Sequence, residues 1–179
     1  MARFDCFDAP LAGLKVIRRK PIEDVRGFLS RFYCAEEFKA FGFNKSISQI
    51  NHTLTRNKGA VRGLHFQQSP HAEIKLVSCL KGEVFDVAVD LRNNSTTFLH
   101  WHGEVLSEKN QRSLLIPEGF AHGFVTLTDD VEVNYQVSQF YTPGKEKGIR
   151  WNDPAFGIKW LINNPIISEK DAIHPDFIA

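Results

Sequence analysis

Short segments rich in Val, Phe, Tyr or Thr recur along the chain, and Gly, Pro or Asn-Asn elements separate them. They span residues 14–19, 27–33, 75–80, 83–91, 102–108, 112–117, 122–127 and 131–141. Segment 83–91 alternates most regularly, with one face formed by Val84, Asp86, Ala88 and Asp90 and the other by Phe85, Val87, Val89 and Leu91. Many short strands at even spacing are typical of a β-sandwich or barrel. The pattern therefore predicts an all-β fold whose interior either packs or holds one ligand.

Helices play a minor part in this prediction. Segment 34–43 carries Phe38 and Phe41 three residues apart and Gly42 at its end, which is typical of a short helix. A second short helix is predicted after Pro165, around residues 168–172. A chain of 179 residues without repeats or linkers fits one domain, so we expect residues 1–179 to form a single unit.

Charge and composition exclude several classes of protein. The 22 basic and 21 acidic residues nearly cancel, and no basic stripe indicates a nucleic acid partner. The apolar runs are far shorter than the roughly 20 residues that cross a bilayer, so no membrane partner is expected. The first ten residues do not resemble a secretory signal, and the three scattered cysteines favour a reducing compartment. We therefore expect a soluble, cytoplasmic protein.

The densest group of chemically active residues lies in segment 60–67, AVRGLHFQ, and just beyond it. Arg62, His65 and Lys75 are three cationic or proton-active side chains within fourteen residues. The pattern partly matches the two-part motif of metal-binding cupins, but the second histidine of His-x-His is missing. Lys75 stands where the metal-binding carboxylate would be, and an ammonium group repels a metal ion. A metal is therefore not expected. Taken alone, His65 is also compatible with a structural histidine.

Three further segments offer candidate site residues. Segment 117–124, PEGFAHGF, presents His122 at the start of a predicted strand. Tyr135 and Tyr141 are six residues apart, so they share a face if the strand is continuous. They are either site residues or half-buried strand aromatics. Ser168 and Asp171 have the spacing of a capped helical turn, and Asp171 could instead orient a histidine.

Taken in order, these segments resemble the dTDP-4-dehydrorhamnose 3,5-epimerase family, the cupin-fold epimerases of deoxysugar biosynthesis. The resemblance rests on QINHT (49–53), RGLH (62–65), Lys75, GEVFDVAVD (82–90), PEGFAHGF (117–124), Tyr135, Tyr141 and SEKD (168–171). It covers about residues 14–175. It implies a cupin jelly roll acting on a nucleotide-linked 4-keto-6-deoxyhexose, without metal or cofactor, as a homodimer that exchanges N-terminal strands.

The resemblance also implies roles for individual residues. Epimerisation beside a ketone needs a base on one face, a cation at the enolate oxygen and an acid on the other face. By resemblance the base is His65, oriented by Asp171. The cation is Lys75 and the acid is Tyr135. The residues implied to contact substrate are Arg62, His122, Gln49, Asn51, Arg26 and Tyr141. An imidazole titrates near pH 6.5 and a phenol near pH 10, which suits a base and an acid at neutral pH.

The chain departs from the family pattern near the nucleotide. The aromatic residue expected two positions after Gly27 is Leu29, and the following Glu is Arg31. GDP-, CDP- or UDP-linked sugars therefore remain open as substrates beside the dTDP-linked sugar.

Alternative activities remain open as well. A mono-epimerase would use the same residues. A 3,4-ketoisomerase would move the carbonyl group instead, and the presence of Tyr135 favours an epimerase over it. A metal-dependent cupin oxygenase and a non-catalytic sugar-nucleotide binder are alternatives from other classes.

Overall fold

The protein is a sandwich of two β-sheets, seen in a computed structural model that describes residues 2–178. The first sheet has the order β1-β2-β10-β7-β12-β5. Its strands are β1 (Phe4–Asp8), β2 (Lys15–Arg19), β5 (Gln49–Thr55), β7 (Lys75–Lys81), β10 (Arg112–Ile116) and β12 (Val131–Val137). Neighbouring strands in this sheet run antiparallel, so one face can pack while the other meets solvent or a helix.

The second sheet has the order β13-β6-β11-β8-β9, with β14 pairing in parallel with β6. Its strands are β6 (Ala60–Gln67), β8 (Glu83–Asp90), β9 (Trp101–Ser107), β11 (Phe120–Thr126), β13 (Glu146–Gly148) and β14 (Ile166–Ile167). This arrangement confirms the predicted all-β sandwich and gives each sheet one face toward the interior.

A separate two-stranded hairpin stands outside both sheets. It consists of β3 (Ile22–Asp24) and β4 (Gly27–Leu29), and all of its residues are exposed. The strand predicted over residues 27–33 is therefore mostly wrong: only its first three residues are extended and paired. Residues 30–33 form no strand and lead into helix α1 (Ala35–Phe41).

Both short helices are confirmed. Helix α1 ends at Gly42, whose φ of 111° is the left-handed conformation that glycine adopts most readily at a helix end. Helix α2 (Glu169–Ala172) begins after Ser168, whose side-chain oxygen accepts a hydrogen bond from the Asp171 N–H. Among the described residues, no helix is long and apolar enough to cross a membrane.

Strand β8 shows that both faces predicted for segment 83–91 are buried, including the one that carries Asp86 and Asp90. Val84 and Ala88 pack into the core between the sheets. Phe85, Val87 and Val89 pack on the opposite face, in a second cluster that the C-terminal segment covers. A third cluster lies where α1 covers the first sheet, with Phe38 fully buried. The predicted alternation of β8 is therefore confirmed, and neither face of the strand is left to solvent.

Candidate active site

A cavity of about 550 Å³ lies between the two sheets. The first sheet supplies one wall through β5, β7 and β12, and the second supplies the other through β6, β11 and β13. Helix α2 adds a third side. Nine of the ten candidate residues line the cavity: Gln49, Asn51, Arg62, His65, Lys75, His122, Tyr135, Tyr141 and Asp171.

The tenth candidate, Arg26, does not line this cavity. It lies in the turn of the β3–β4 hairpin, where its guanidinium group pairs with Asp24. Within one chain the hairpin therefore contributes nothing to the site. The prediction that Arg26 contacts the substrate depends on a second subunit.

His65 and Asp171 form a hydrogen-bonded pair in the cavity wall. The His65 Nε2 atom lies 2.7 Å from Asp171 Oδ1, and the Gly63 N–H donates to Asp171 Oδ2 at 3.2 Å. Asp171 is 4 % exposed. Burial acts to raise the pKa of this carboxyl, but the hydrogen bond and charge of His65 and the Gly63 N–H hold it below its usual value. The Ser168–Asp171 turn thus caps α2 and also presents a carboxylate to the histidine.

Lys75 enters the cavity from β7 and is held by a carboxylate that the sequence analysis missed. Its ammonium nitrogen lies 2.9 Å from Glu73 Oε1, and both side chains are about nine-tenths buried, at 11 % and 12 % exposed. The Gln67 side-chain amide donates to the other Glu73 oxygen at 3.0 Å. Lys75 is therefore a fixed cation at the cavity surface.

Tyr135 lies on β12, in the sheet opposite the one that carries His65. Burial raises the pKa of this phenol, and the negative charge of Glu73 raises it further. In the register of the two strands, Val137 faces Lys75, so Tyr135 is a diagonal neighbour of the lysine on the same sheet. The cavity thus has a histidine on one wall and a protonated phenol on the other.

Two further side chains near His65 differ in their partners. The buried His122 places its Nε2 atom 2.8 and 2.9 Å from the two oxygens of the fully buried Asp86. Arg62 donates to the Thr55 hydroxyl at 3.0 Å. Within residues 2–178 no carboxylate lies within ion-pair distance of Arg62, so its positive charge is uncompensated in the cavity.

Gln49 and Tyr141 are coupled at the edge of the cavity. The Tyr141 backbone N–H donates to the Gln49 side-chain oxygen. The predicted strand over 131–141 is too long, because β12 ends at Val137 and Tyr141 lies in the following loop. The tyrosines therefore both reach the cavity, but not by sharing one face of a continuous strand.

Sequence reasoning missed Glu73, Asp86 and His174. Asp86 gave a signal, since it is a charged residue on the same face of β8 as the buried Val84 and Ala88. Glu73 and His174 gave none, because a Glu or His a few residues from a candidate residue does not by itself indicate a contact. His174 lies edge-on to His65, with ring centroids 5.6 Å apart, and its Nε2 atom is 3.5 Å from Asp171 Oδ1.

The group best arranged to hold a metal ion, within the described residues, is His65, Asp171 and His174. Their ligand atoms lie within 4.8 Å of one another. This trio differs from the cupin metal pattern considered from the sequence, because two of its members come from the C-terminal segment.

Gly63 allows strands β6 and β11 to approach closely beside this site. Its φ is +123°, and a Cβ atom there would lie 2.6 Å from the Gly123 Cα and 2.8 Å from the His122 carbonyl oxygen. We expect Gly63→Ala to lower the free energy of unfolding by about 1–3 kcal/mol or more. Urea unfolding measures this change. Gly144→Ala is the matched control, because Gly144 also has a positive φ but nothing near its missing Cβ. An equal loss in both variants would show that the close approach is unimportant.

The jelly roll and its charged cavity place the chain among the cupin-fold proteins. The family model described as dTDP-4-dehydrorhamnose 3,5-epimerase matches residues 8–178. A curated dTDP-4-dehydrorhamnose 3,5-epimerase from Salmonella typhimurium is 46% identical over 162 residues, which covers 89% of this chain and 88% of the relative. The chain belongs to the dTDP-4-dehydrorhamnose 3,5-epimerase family.

Solved structures agree with this assignment. The Bacillus anthracis dTDP-4-dehydrorhamnose 3,5-epimerase, crystallised with TDP and PPi bound, has a TM-score of 0.94 and 37% identity, covering 97% of this chain and 99% of that one. A Legionella pneumophila dTDP-6-deoxy-D-glucose-3,5-epimerase in complex with dTDP-4-keto-L-rhamnose has a TM-score of 0.92 and 38% identity, covering 97% and 92%. The similarity thus extends over nearly the whole chain, including every cavity wall.

Proposed function

We propose that this protein inverts C3 and C5 of a dTDP-linked 4-keto-6-deoxyhexose by proton transfer. The observation that carries the proposal is the placement of His65 and Tyr135 on opposite sheets across one cavity. A sugar ring between them meets a base on one face and an acid on the other. Family membership supports the reaction and the dTDP carrier.

His65 is the proposed base. Its Nε2 donates to Asp171, which leaves the other ring nitrogen with a free lone pair for the proton of the carbon beside the ketone. Asp171 is a carboxylate at neutral pH, so it also stabilises the imidazolium that forms. This division of roles needs His65 uncharged before the reaction.

Lys75 and Tyr135 are proposed to act on the intermediate. Removing the proton moves an electron pair onto the ketone oxygen, and the Lys75 ammonium stabilises the enolate in a partly dehydrated site. Tyr135 then returns a proton to carbon from the opposite face. Inversion follows because the proton leaves on one side and arrives on the other.

Arg62 is proposed to bind the diphosphate of the substrate. It is the cavity cation without a carboxylate partner in the described chain, whereas Lys75 and Lys170 pair with Glu73 and Glu146. A guanidinium group forms paired hydrogen bonds to phosphate oxygens. Gln49, Asn51 and Tyr141 line the same cavity and are proposed to contact the nucleotide, and His122, held by Asp86, the sugar.

Proton NMR of dTDP-4-keto-6-deoxyglucose with the protein in deuterated water tests this function. We expect loss of both the C3 and C5 proton signals together with new sugar signals. Loss of only one would indicate a mono-epimerase. No exchange at either carbon, with exchange in a GDP- or CDP-linked sugar, would overturn the dTDP assignment. Binding of the dTDP-sugar with no exchange in any of these would indicate a non-catalytic binder.

We further propose that the protein is a homodimer in which the β3–β4 hairpin crosses to the partner. Phe28 and Leu29 in the hairpin are 64 % and 72 % exposed. Strand β5, the edge of the first sheet, also exposes two apolar side chains, Ile50 and Leu54. A free sheet edge beside exposed apolar residues is a favourable surface for a partner's hairpin. In such a dimer Arg26 would reach the partner's cavity.

Replacing Phe28 with aspartate tests the dimer. We expect Phe28→Asp to shift the protein toward monomer in analytical ultracentrifugation and to weaken dTDP-sugar binding, since each buried Phe contributes about 1.5–3 kcal/mol. Leu161→Asp is the matched control, because Leu161 is 56 % exposed outside the hairpin and the cavity. A monomeric wild type, or a Phe28→Asp variant that remains a dimer with unchanged binding, would contradict the proposal.

A reducing compartment, the cytoplasm, is the proposed location. Cys6, Cys34 and Cys79 are all free thiols. Burial raises the pKa of Cys79 to about 12, so this thiol is unreactive and structural.

A further inference from the structure

Glu73 is a buried carboxylate that the mechanism above does not use. It lies just before β7 and two residues from Lys75, so both side chains project to the same side of the extended chain. It is 12 % exposed and faces the cavity. A carboxylate in this position reduces the positive charge that an enolate would meet, so its presence requires a reason.

Glu73 is held rigidly by the buried Gln67. The Gln67 amide nitrogen donates to Glu73 at 3.0 Å and also contacts the carbonyl oxygens of His71 and Phe140 at 3.2 and 3.3 Å. Its amide oxygen accepts from the Thr142 N–H at 2.9 Å. Gln67 thus joins β6 to the loop after β12 and fixes the carboxylate that pairs with Lys75.

The charges around Tyr135 come from several elements. Glu73 and Lys75 lie at the start of β7, Arg62 and His65 on β6, His122 on β11 and Glu146 on β13. After burial, Glu73 has the largest effect on the pKa of Tyr135 and raises it. Arg62 opposes this effect, and Glu146 adds a smaller increase. Glu73 is therefore the charge that most favours the neutral phenol.

We propose that Glu73 is a positioning residue that holds the Lys75 ammonium toward the cavity and keeps Tyr135 in its protonated form. This inference rests on the proposed function, in which the Tyr135 phenol returns the proton. Without the Glu73 charge, a phenolate is less disfavoured and Tyr135 loses its proton at lower pH. Lys75 also loses the partner that holds its ammonium nitrogen at 2.9 Å. The earlier loss of the Tyr135 proton moves the alkaline limit of activity in the acidic direction.

The variant Glu73→Gln tests the proposal, because it removes the charge and keeps the size of the side chain. The first measurement is the ultraviolet titration of tyrosinate in the protein without substrate. Subtracting the same titration of Tyr135→Phe isolates Tyr135 from Tyr33 and Tyr141. We expect the Tyr135 midpoint to fall by roughly half a unit or more. The pH at which kcat/KM declines on the alkaline side should decrease as well. Urea unfolding reports whether the fold is retained.

Glu132→Gln is the matched control. Glu132 is on the same strand as Tyr135 but three residues away, so it points to the other face, where it contacts His52. We expect no shift of the Tyr135 midpoint in this variant. An unshifted midpoint in a folded Glu73→Gln variant would overturn the proposal, even if activity falls. The titration uses no substrate, so it can be interpreted even if the wild-type protein is inactive. Inactivity of the wild type would contradict the proposed function, whereas an unshifted Tyr135 midpoint would contradict the role of Glu73.

Discussion

Replacing His65 with asparagine is expected to lower kcat for epimerisation by about 10²–10⁴, because general-base catalysis contributes a factor of that size. Asparagine cannot accept the proton at neutral pH but can still donate its amide to Asp171. The substitution should therefore leave the cavity wall intact. The measurement is the rate of loss of the C3 and C5 protons in deuterated water, with dTDP binding measured alongside.

The control for His65→Asn is His100→Asn. His100 is exposed, and it does not line the cavity. We expect it to retain the wild-type rate, while His65→Asn keeps nucleotide binding within a few-fold. Wild-type exchange in His65→Asn would exclude this histidine as the base. If His65→Asn lost exchange because it failed to fold, Asp171→Asn would provide the second test. This variant keeps the His65 side chain and should also slow exchange.

Replacing Tyr135 with phenylalanine is expected to separate proton exchange from inversion. The ring remains, so packing between the sheets should be kept, but the proton donor is lost. His65 can still remove a proton and return a deuteron to the same face. We therefore expect deuterium to enter the sugar at a rate much closer to wild type than the rate of product formation, which should fall by about 10²-fold or more.

NMR measures both rates in one sample for Tyr135→Phe. Tyr33→Phe is the control, because Tyr33 packs against Phe38 and Phe43 beside helix α1, away from the cavity. It should leave both rates unchanged. If exchange and inversion fell in parallel in Tyr135→Phe, Tyr135 would position the substrate and would not be the acid.

Sequence patterns identify most reliably the strands whose side chains meet apolar surroundings. Strand β8 is the clearest example, since both faces are buried and Phe85, Val87 and Val89 alternate with the residues that face the other sheet. Strand β5 was missed because its pattern is reversed. Its Asn51 side chain lines the cavity, while Ile50 and Leu54 are exposed. A strand that lines a polar cavity does not show the period that a packed core imposes.

Strand β6 lacks a clear strand pattern for a related reason. It carries Arg62 and His65, which line the cavity, and Gly63, which disfavours extended pairing in most strands. Its close approach to Gly123 needs a glycine on both strands. The features that hid β6 from pattern analysis are the same features that build the site.

The residue types and their order determined the family, the two-sheet fold and nine of the residues around the cavity. They did so because Arg62, His65, Lys75 and His122 lie in short local motifs, and because alternation records which strand faces are buried. Pairing across the fold was decided only by the tertiary structure. Asp171 meets His65 from 106 positions away, and Gln67, which holds Glu73, donates to the Phe140 carbonyl from 73 positions away. Distances and charges between such groups depend on sheet register and burial, which no local pattern contains.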